Sequence, residues 1–141
     1  MPAISFFEED IQFKPKQKAA LRQWIKDTIV AEGYRLKELN YIFCSDAYLL
    51  TMNQQYLDHD TYTDIITFDN SELEQVIVGD IFISAERIKE NAAKFKVTEE
   101  TELHRVMIHG ALHLLGYKDK SVASKNLMTQ MEDKYLALRS F

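Results

Sequence analysis

Leu103-His104-Arg105-Val106-Met107-Ile108-His109-Gly110-Ala111-Leu112-His113-Leu114-Leu115-Gly116-Tyr117-Lys118-Asp119 is the stretch that decides the fold. Leu103, Val106, Met107, Gly110 and Leu114 recur at helical spacing and make one apolar stripe. Thr98 caps the start, and Glu99, Glu100 and Glu102 suit the positive end of the helix dipole. From residue 98 to 115 such a helix is ~27 Å long at ~1.5 Å per residue. His109 and His113 lie four residues apart, one turn along one face, and border the stripe, so they point toward the protein body. Gly116 offers the left-handed conformation that stops a helix. Beyond that turn Asp119 can swing back as a third donor. Three protein ligands on a tetrahedral ion leave one position for water, the layout of a catalytic metal site. His104 does not keep the four-residue step and is expected at the surface.

The spacing matches the zinc peptidase pattern H-E-x-x-H-x-x-G-x-x-H at its ligand and turn positions, with Asp119 in place of the last His. The second position differs. A peptidase needs Glu there as general base, and this chain has Gly110, which cannot take a proton. The metal geometry survives while peptidase chemistry is put in doubt. Histidine pairs at this spacing also arise by chance, and Gly116 with Asp119 is what raises this one above that reading.

Outward from this helix the pattern alternates irregularly between strand and helix. Residues 4–7 form a short strand. Pro15 opens a helix to about residue 32, stopped by Gly33, with Leu21, Trp24, Ile25, Thr28 and Ile29 as its apolar face. Residues 39–44 make a second strand. Ser45 and Asp46 cap a helix through Tyr56. Residues 58–64 are a polar loop, 65–68 a third strand and 76–83 a fourth, interior strand. Ser84 caps a helix to about residue 95, and a last helix spans about 122–138. The expected class is α+β: a small mixed four-stranded sheet packed with about five helices, the metal site lying on the long one.

At 141 residues the chain reads as one domain, residues 1–141, long enough to bury a core. Cys44 is the only cysteine, so no internal disulfide forms, and its apolar setting makes it an inert core thiol. A reducing, cytoplasmic setting is expected. Residues 1–10 lack the basic start and long apolar run of a signal peptide, and no stretch is apolar enough to span a membrane. The net charge of -5 argues mildly against nucleic acid, but distribution decides. Lys14, Lys18, Arg22 and Lys26, with Lys16, make a basic stripe; a solvated helix face is its plainer reading, and if nucleic acid is held by a local basic surface the stripe is the first candidate, ahead of the pair beside Asp119. Lys118 and Lys120 flank Asp119.

His109-Gly110-Ala111-Leu112-His113-Leu114-Leu115-Gly116-Tyr117 follows three further segments. They are Asn53-Gln54-Gln55-Tyr56-Leu57-Asp58-His59-Asp60, Thr63-Asp64-Ile65-Ile66-Thr67-Phe68 and Gly79-Asp80-Ile81-Phe82-Ile83-Ser84. In this order they resemble the YbeY family of bacterial endoribonucleases, from about Met52 to Asp119. The resemblance implies a metal-dependent, single-strand-specific endoribonuclease acting in ribosomal RNA maturation, notably at the 3′ end of the small-subunit RNA, and in ribosome quality control. It implies Zn2+ held by His109, His113 and Asp119, and single-stranded RNA or the ribosome as partner.

The chain departs from the family twice. Most relatives have His where Asp119 stands; a carboxylate still binds zinc, yet two His and one carboxylate also suit another divalent transition metal. Many relatives carry a functionally important Arg where this chain has Leu57, and neighbouring His59 is the substitute for holding a phosphate. The implied reaction runs through metal chemistry, with water or the RNA 2′-OH as nucleophile. His59 and a water at the metal are the candidate proton donors. Two other readings stand beside it: a metallohydrolase acting on another substrate such as a peptide, and a non-enzymatic ribosome-binding protein with a structural metal.

Overall fold

A computed structural model describes residues 3–56 and 63–141. Its elements run β1 (Ile4–Glu8), α1 (Lys18–Ala31), β2 (Arg35–Cys44), α2 (Asp46–Tyr56), β3 (Ile65–Asp69), β4 (Val76–Ser84), α3 (Ala85–Phe95), α4 (Glu99–Leu114) and α5 (Val122–Ala137). The strands form one sheet in the order β1-β2-β4-β3. β1, β2 and β4 run parallel, and β3 runs antiparallel to β4. The architecture is α+β with a mixed four-stranded sheet and five helices among the described residues, as expected.

The two faces of the sheet separate by the period of two along each strand. In β4, Ile77, Gly79, Ile81 and Ile83 are buried in alternation with Val78, Asp80 and Phe82. The first set joins Leu21, Ile25 and Ile29 of α1 and Leu103, Met107 and Ala111 of α4 in the main core. On the opposite face, Leu49 and Met52 of α2 meet Ile66, with Tyr48, Phe68 and Phe82 packed alongside. A cleft of about 690 Å³ remains there, lined by Tyr48, Phe68, Asn70, Asp80 and Phe82 among others.

Local chemistry sets most boundaries. Ser84 Oγ accepts from Arg87 N and Thr98 Oγ1 from Thr101 N, so both expected caps are formed. Two starts differ from the sequence pattern. α1 begins at Lys18, since Pro15 is buried and Gln17 adopts a left-handed φ of 57°, which breaks helical continuity. β2 begins at Arg35, because Arg35 to Glu38 pair with Val76 to Val78 through a register shift, although their side chains carry no strand pattern.

The expected surface position of His104 is a correction: the residue is 2% exposed. α4 is buried around most of its girth, Glu102, Ile108 and Leu112 included, because α1, α3, α5 and the sheet all pack on it. His104 lies between Trp24 and Phe141, at centroid distances of 5.8 and 5.3 Å, and its Nδ1 accepts from Arg139 Nη1 at 2.6 Å. Burial, with the Arg139 charge, lowers its pKa to about 4. Cys44 is fully buried, and burial pushes its thiol up to about 12, as an inert core thiol requires.

Candidate metal centre

The histidine pair is placed by α4 and the third donor by the way α4 ends. Gly116, at φ 102°, follows the last helical turn. Tyr117 N donates to Leu112 O and Gly116 N to His113 O, both at 3.0 Å. These are the two bonds of a Schellman stop, which satisfies carbonyls the helix end would orphan. Tyr117 Oη then donates to Glu32 Oε1 at 2.6 Å, tying the turn to the end of α1. Ser121 opens α5 with a capping box. Between these two anchored points the chain reverses and Asp119 returns toward α4.

The three side chains converge. Asp119 Oδ2 lies 3.4 Å from His109 Nε2 and 3.3 Å from His113 Nε2. One donor atom from each residue falls within 4.8 Å of the others. The two imidazoles stand nearly perpendicular, at 80°, with centroids 4.6 Å apart. A tetrahedral ion with bonds of ~2.0 Å spaces its ligands ~3.3 Å apart. The two histidine–carboxylate separations therefore fit that ion. The donor chemistry, two borderline nitrogens and one hard oxygen, suits zinc and its divalent neighbours.

The surroundings favour a cation. A cleft of about 270 Å³ opens over the three donors, its other wall formed by Thr63, Asp64 and the first residues of β3. Burial pushes the Asp64 carboxyl above the usual carboxylate range, and the nearby Glu132 charge adds to it. Burial likewise raises Glu102, with Asp64 and Glu132 contributing. Burial disfavours the charged form of His109, but its bond to Glu132 and the charges of Glu132, Asp119 and Asp64 outweigh this and raise its pKa. Negative charge gathered around Asp64 and Glu102 is relieved by a cation among them.

Gly110 lies between the two histidines in sequence but not on their face. A Cβ there would stand 2.8 Å from Ile65 Cδ1 and 3.0 Å from Ile81 Cδ1. The position faces the sheet, where a side chain at 110 meets Ile65 and Ile81.

Three residues of the centre carried no assigned role in the sequence. Glu132 Oε2 lies 2.6 Å from His109 Nδ1, and Arg105 Nη1 donates to Glu132 Oε1 at 2.8 Å. Asp64 lines the cleft. Arg105 stands one turn before His109, which is a local signal. Glu132 is 23 residues away on another helix, and no local pattern reveals it. Leu57 and His59 lie outside the described residues.

The basic stripe is not beside this centre. Arg22 Nε donates to Ile4 O of β1 at 2.9 Å, and its guanidinium lies over the Phe6 ring. Lys14 pairs with Glu8. β1 and β3 are opposite edges of the sheet, and the donors sit at the β3 edge.

A family model described as Endoribonuclease YbeY matches residues 3–139. A protein named Endoribonuclease YbeY from Cytophaga hutchinsonii is 55% identical over 138 residues, covering 98% of this chain and 96% of the relative. Its namesake from Flavobacterium psychrophilum is 52% identical, with 94% of each chain covered. One from Bacteroides thetaiotaomicron is 44% identical, covering 97% and 99%. Among solved structures, the solution structure of TM1509 from Thermotoga maritima superposes with a TM-score of 0.63 at 29% identity, covering 94% of this chain and 86% of that one. The chain belongs to the YbeY endoribonuclease family.

Proposed function

We propose that residues 1–141 form one catalytic domain, a metal-dependent endoribonuclease specific for single-stranded RNA, with His109, His113 and Asp119 holding one divalent ion. The observation that carries this reading is the convergence of three donors at tetrahedral spacing in an acidic cleft, within a chain of an endoribonuclease family. Zinc is the first choice of ion, and the carboxylate admits another divalent transition metal. Such an ion supplies Lewis acidity toward a phosphoryl oxygen and acidifies a water at neutral pH.

The remaining work falls to the chain. His109 and His113 present nitrogens from one rigid helix face, and Asp119 closes the set from a turn fixed at both ends. The donors are half-buried at the rim of the core, so an extended strand reaches them while a stiff duplex meets the walls of α4 and β3. Exposed Lys118 and Lys120 bracket Asp119 in sequence and offer charge to the phosphates. His59 serves as a phosphate or proton contact. Gly110, facing the sheet, removes the peptidase base, so peptide hydrolysis is disfavoured. In the cell the substrate is ribosomal RNA, at small-subunit 3′-end maturation and in ribosome quality control, in the cytoplasm. Among the described residues no helix is long and apolar enough to cross a membrane.

The test offers purified protein a single-stranded RNA, the same sequence as a duplex, and an unfolded polypeptide. The expected result is cleavage of the single strand alone. Cleavage of the polypeptide, or equal cleavage of the duplex, refutes the substrate assignment.

A further inference from the structure

His109 has two ring nitrogens, and only one can face an ion. Its Nε2 lies 3.4 Å from Asp119 Oδ2, while its Nδ1 lies 2.6 Å from Glu132 Oε2. Glu132, on α5, is 7% exposed. Its second oxygen accepts from Arg105 Nη1 at 2.8 Å, and Arg105 Nη2 reaches Asp133 at 2.7 Å. Arg105 and His109 are one turn apart on α4, so one carboxylate from α5 bridges both. With both oxygens engaged, Glu132 cannot turn away from the imidazole without breaking the Arg105 pair.

An ionised carboxylate only accepts hydrogen bonds, so the nitrogen facing it carries the proton. In the neutral ring this leaves the lone pair on Nε2, toward Asp119 and the cleft. The other tautomer would present an N–H there and could not ligate. We infer that Glu132 is a positioning residue of the metal centre: clamped by Arg105, it selects the Nδ1–H tautomer of His109 and sets the ring so that Nε2 is the ligand. This rests on the metal centre proposed above. It concerns a residue outside the donor set, and it makes the packing of α5 on α4 part of the site.

Two measurements test it. In the unmodified, metal-free protein with 15N-labelled histidine, taken to the alkaline limit of the His109 nitrogen shifts so that the ring is neutral, long-range proton–nitrogen correlation reports the tautomer. His109 protonated at Nδ1 is the expected result, and protonation at Nε2 overturns the inference. The second is zinc affinity by chelator competition. Glu132→Gln should bind zinc roughly ten- to hundred-fold more weakly, since a neutral amide can turn its NH2 toward Nδ1 and favour the wrong tautomer. Leu127→Ala, an exposed change on the same helix, should keep wild-type affinity. Equal affinity in Glu132→Gln and wild type overturns the role of Glu132 alone. A wild-type protein that binds neither zinc nor manganese, iron, cobalt or nickel as divalent ions refutes the metal centre itself. If Glu132→Gln does not fold, the tautomer of the wild-type protein decides.

Discussion

Gly110 stands where a zinc peptidase carries its base, and the reason is steric as much as chemical. Its α-hydrogen side faces Ile65 and Ile81 closely enough that a methyl group must displace them. Gly110→Ala gains up to ~1 kcal/mol of helix propensity and incurs ~1–3 kcal/mol of overpacking. A net loss on the order of 1 kcal/mol is expected, read as a lower urea midpoint; a more stable variant would show that the core has slack there. His104 is the second residue to act against its sequence context. It is buried and neutral, with its folded pKa of about 4 below the ordinary imidazole value. Between about pH 6.5 and 4 the unfolded chain binds the extra proton, so stability present above that window is lost as pH falls through it. The loss attributable to this residue is on the order of 3 kcal/mol at most. His104→Gln keeps an acceptor for Arg139 without a titrating group, and its stability should fall less between pH 7 and 4.5. Parallel curves would contradict this. Nothing near position 104 in sequence announces its burial: the cover comes from Trp24, Arg139 and Phe141, all remote.

At the scale of elements, the end of α4 matters most. The Schellman bonds at Gly116 aim the chain, and the Tyr117–Glu32 bond anchors it. Gly116→Ala meets no steric obstacle, yet an L-residue at φ 102° is strained by ~1–3 kcal/mol. The turn should relax and carry Asp119 away, so zinc affinity should drop along with stability; unchanged affinity would show that Asp119 is held by something other than the turn. This turn was legible in the sequence, because glycine after an apolar helical repeat has few other uses. The caps Ser84 and Thr98 were legible for the same local reason. The start of β2 was not. Arg35, Lys37 and Glu38 look like loop, and they become strand only because β4 offers them a partner across the sheet. The apolar stripe read for α4 was too narrow, since a helix enclosed by three others and a sheet buries polar positions a one-faced pattern calls exposed.

At the scale of the whole molecule, sheet order sets the basic stripe, which the sequence put first as an RNA surface, apart from the donors. The donors lie at the β3 edge, and the stripe at Lys18, Arg22 and Lys26 lies toward the β1 edge, where Arg22 serves β1 itself. RNA held at the cleft should therefore depend on Lys118 and Lys120 more than on the stripe. Each phosphate contact contributes ~0.7 to the log-log salt slope on a single strand. Lys118→Glu with Lys120→Glu should weaken RNA binding and flatten that slope by ~1.4, while Lys18→Glu with Lys26→Glu changes it less. The reverse ordering would make the stripe the RNA path. The central claim is that RNA cleavage runs through an ion held by His109, His113 and Asp119. The most direct measurement follows single-stranded RNA cleavage by wild type and His113→Ala after chelation and after zinc is restored. Chelation should abolish wild-type cleavage, zinc should restore it, and a folded His113→Ala chain should stay inactive throughout. Cleavage that survives chelation, or a fully active His113→Ala chain, would contradict it.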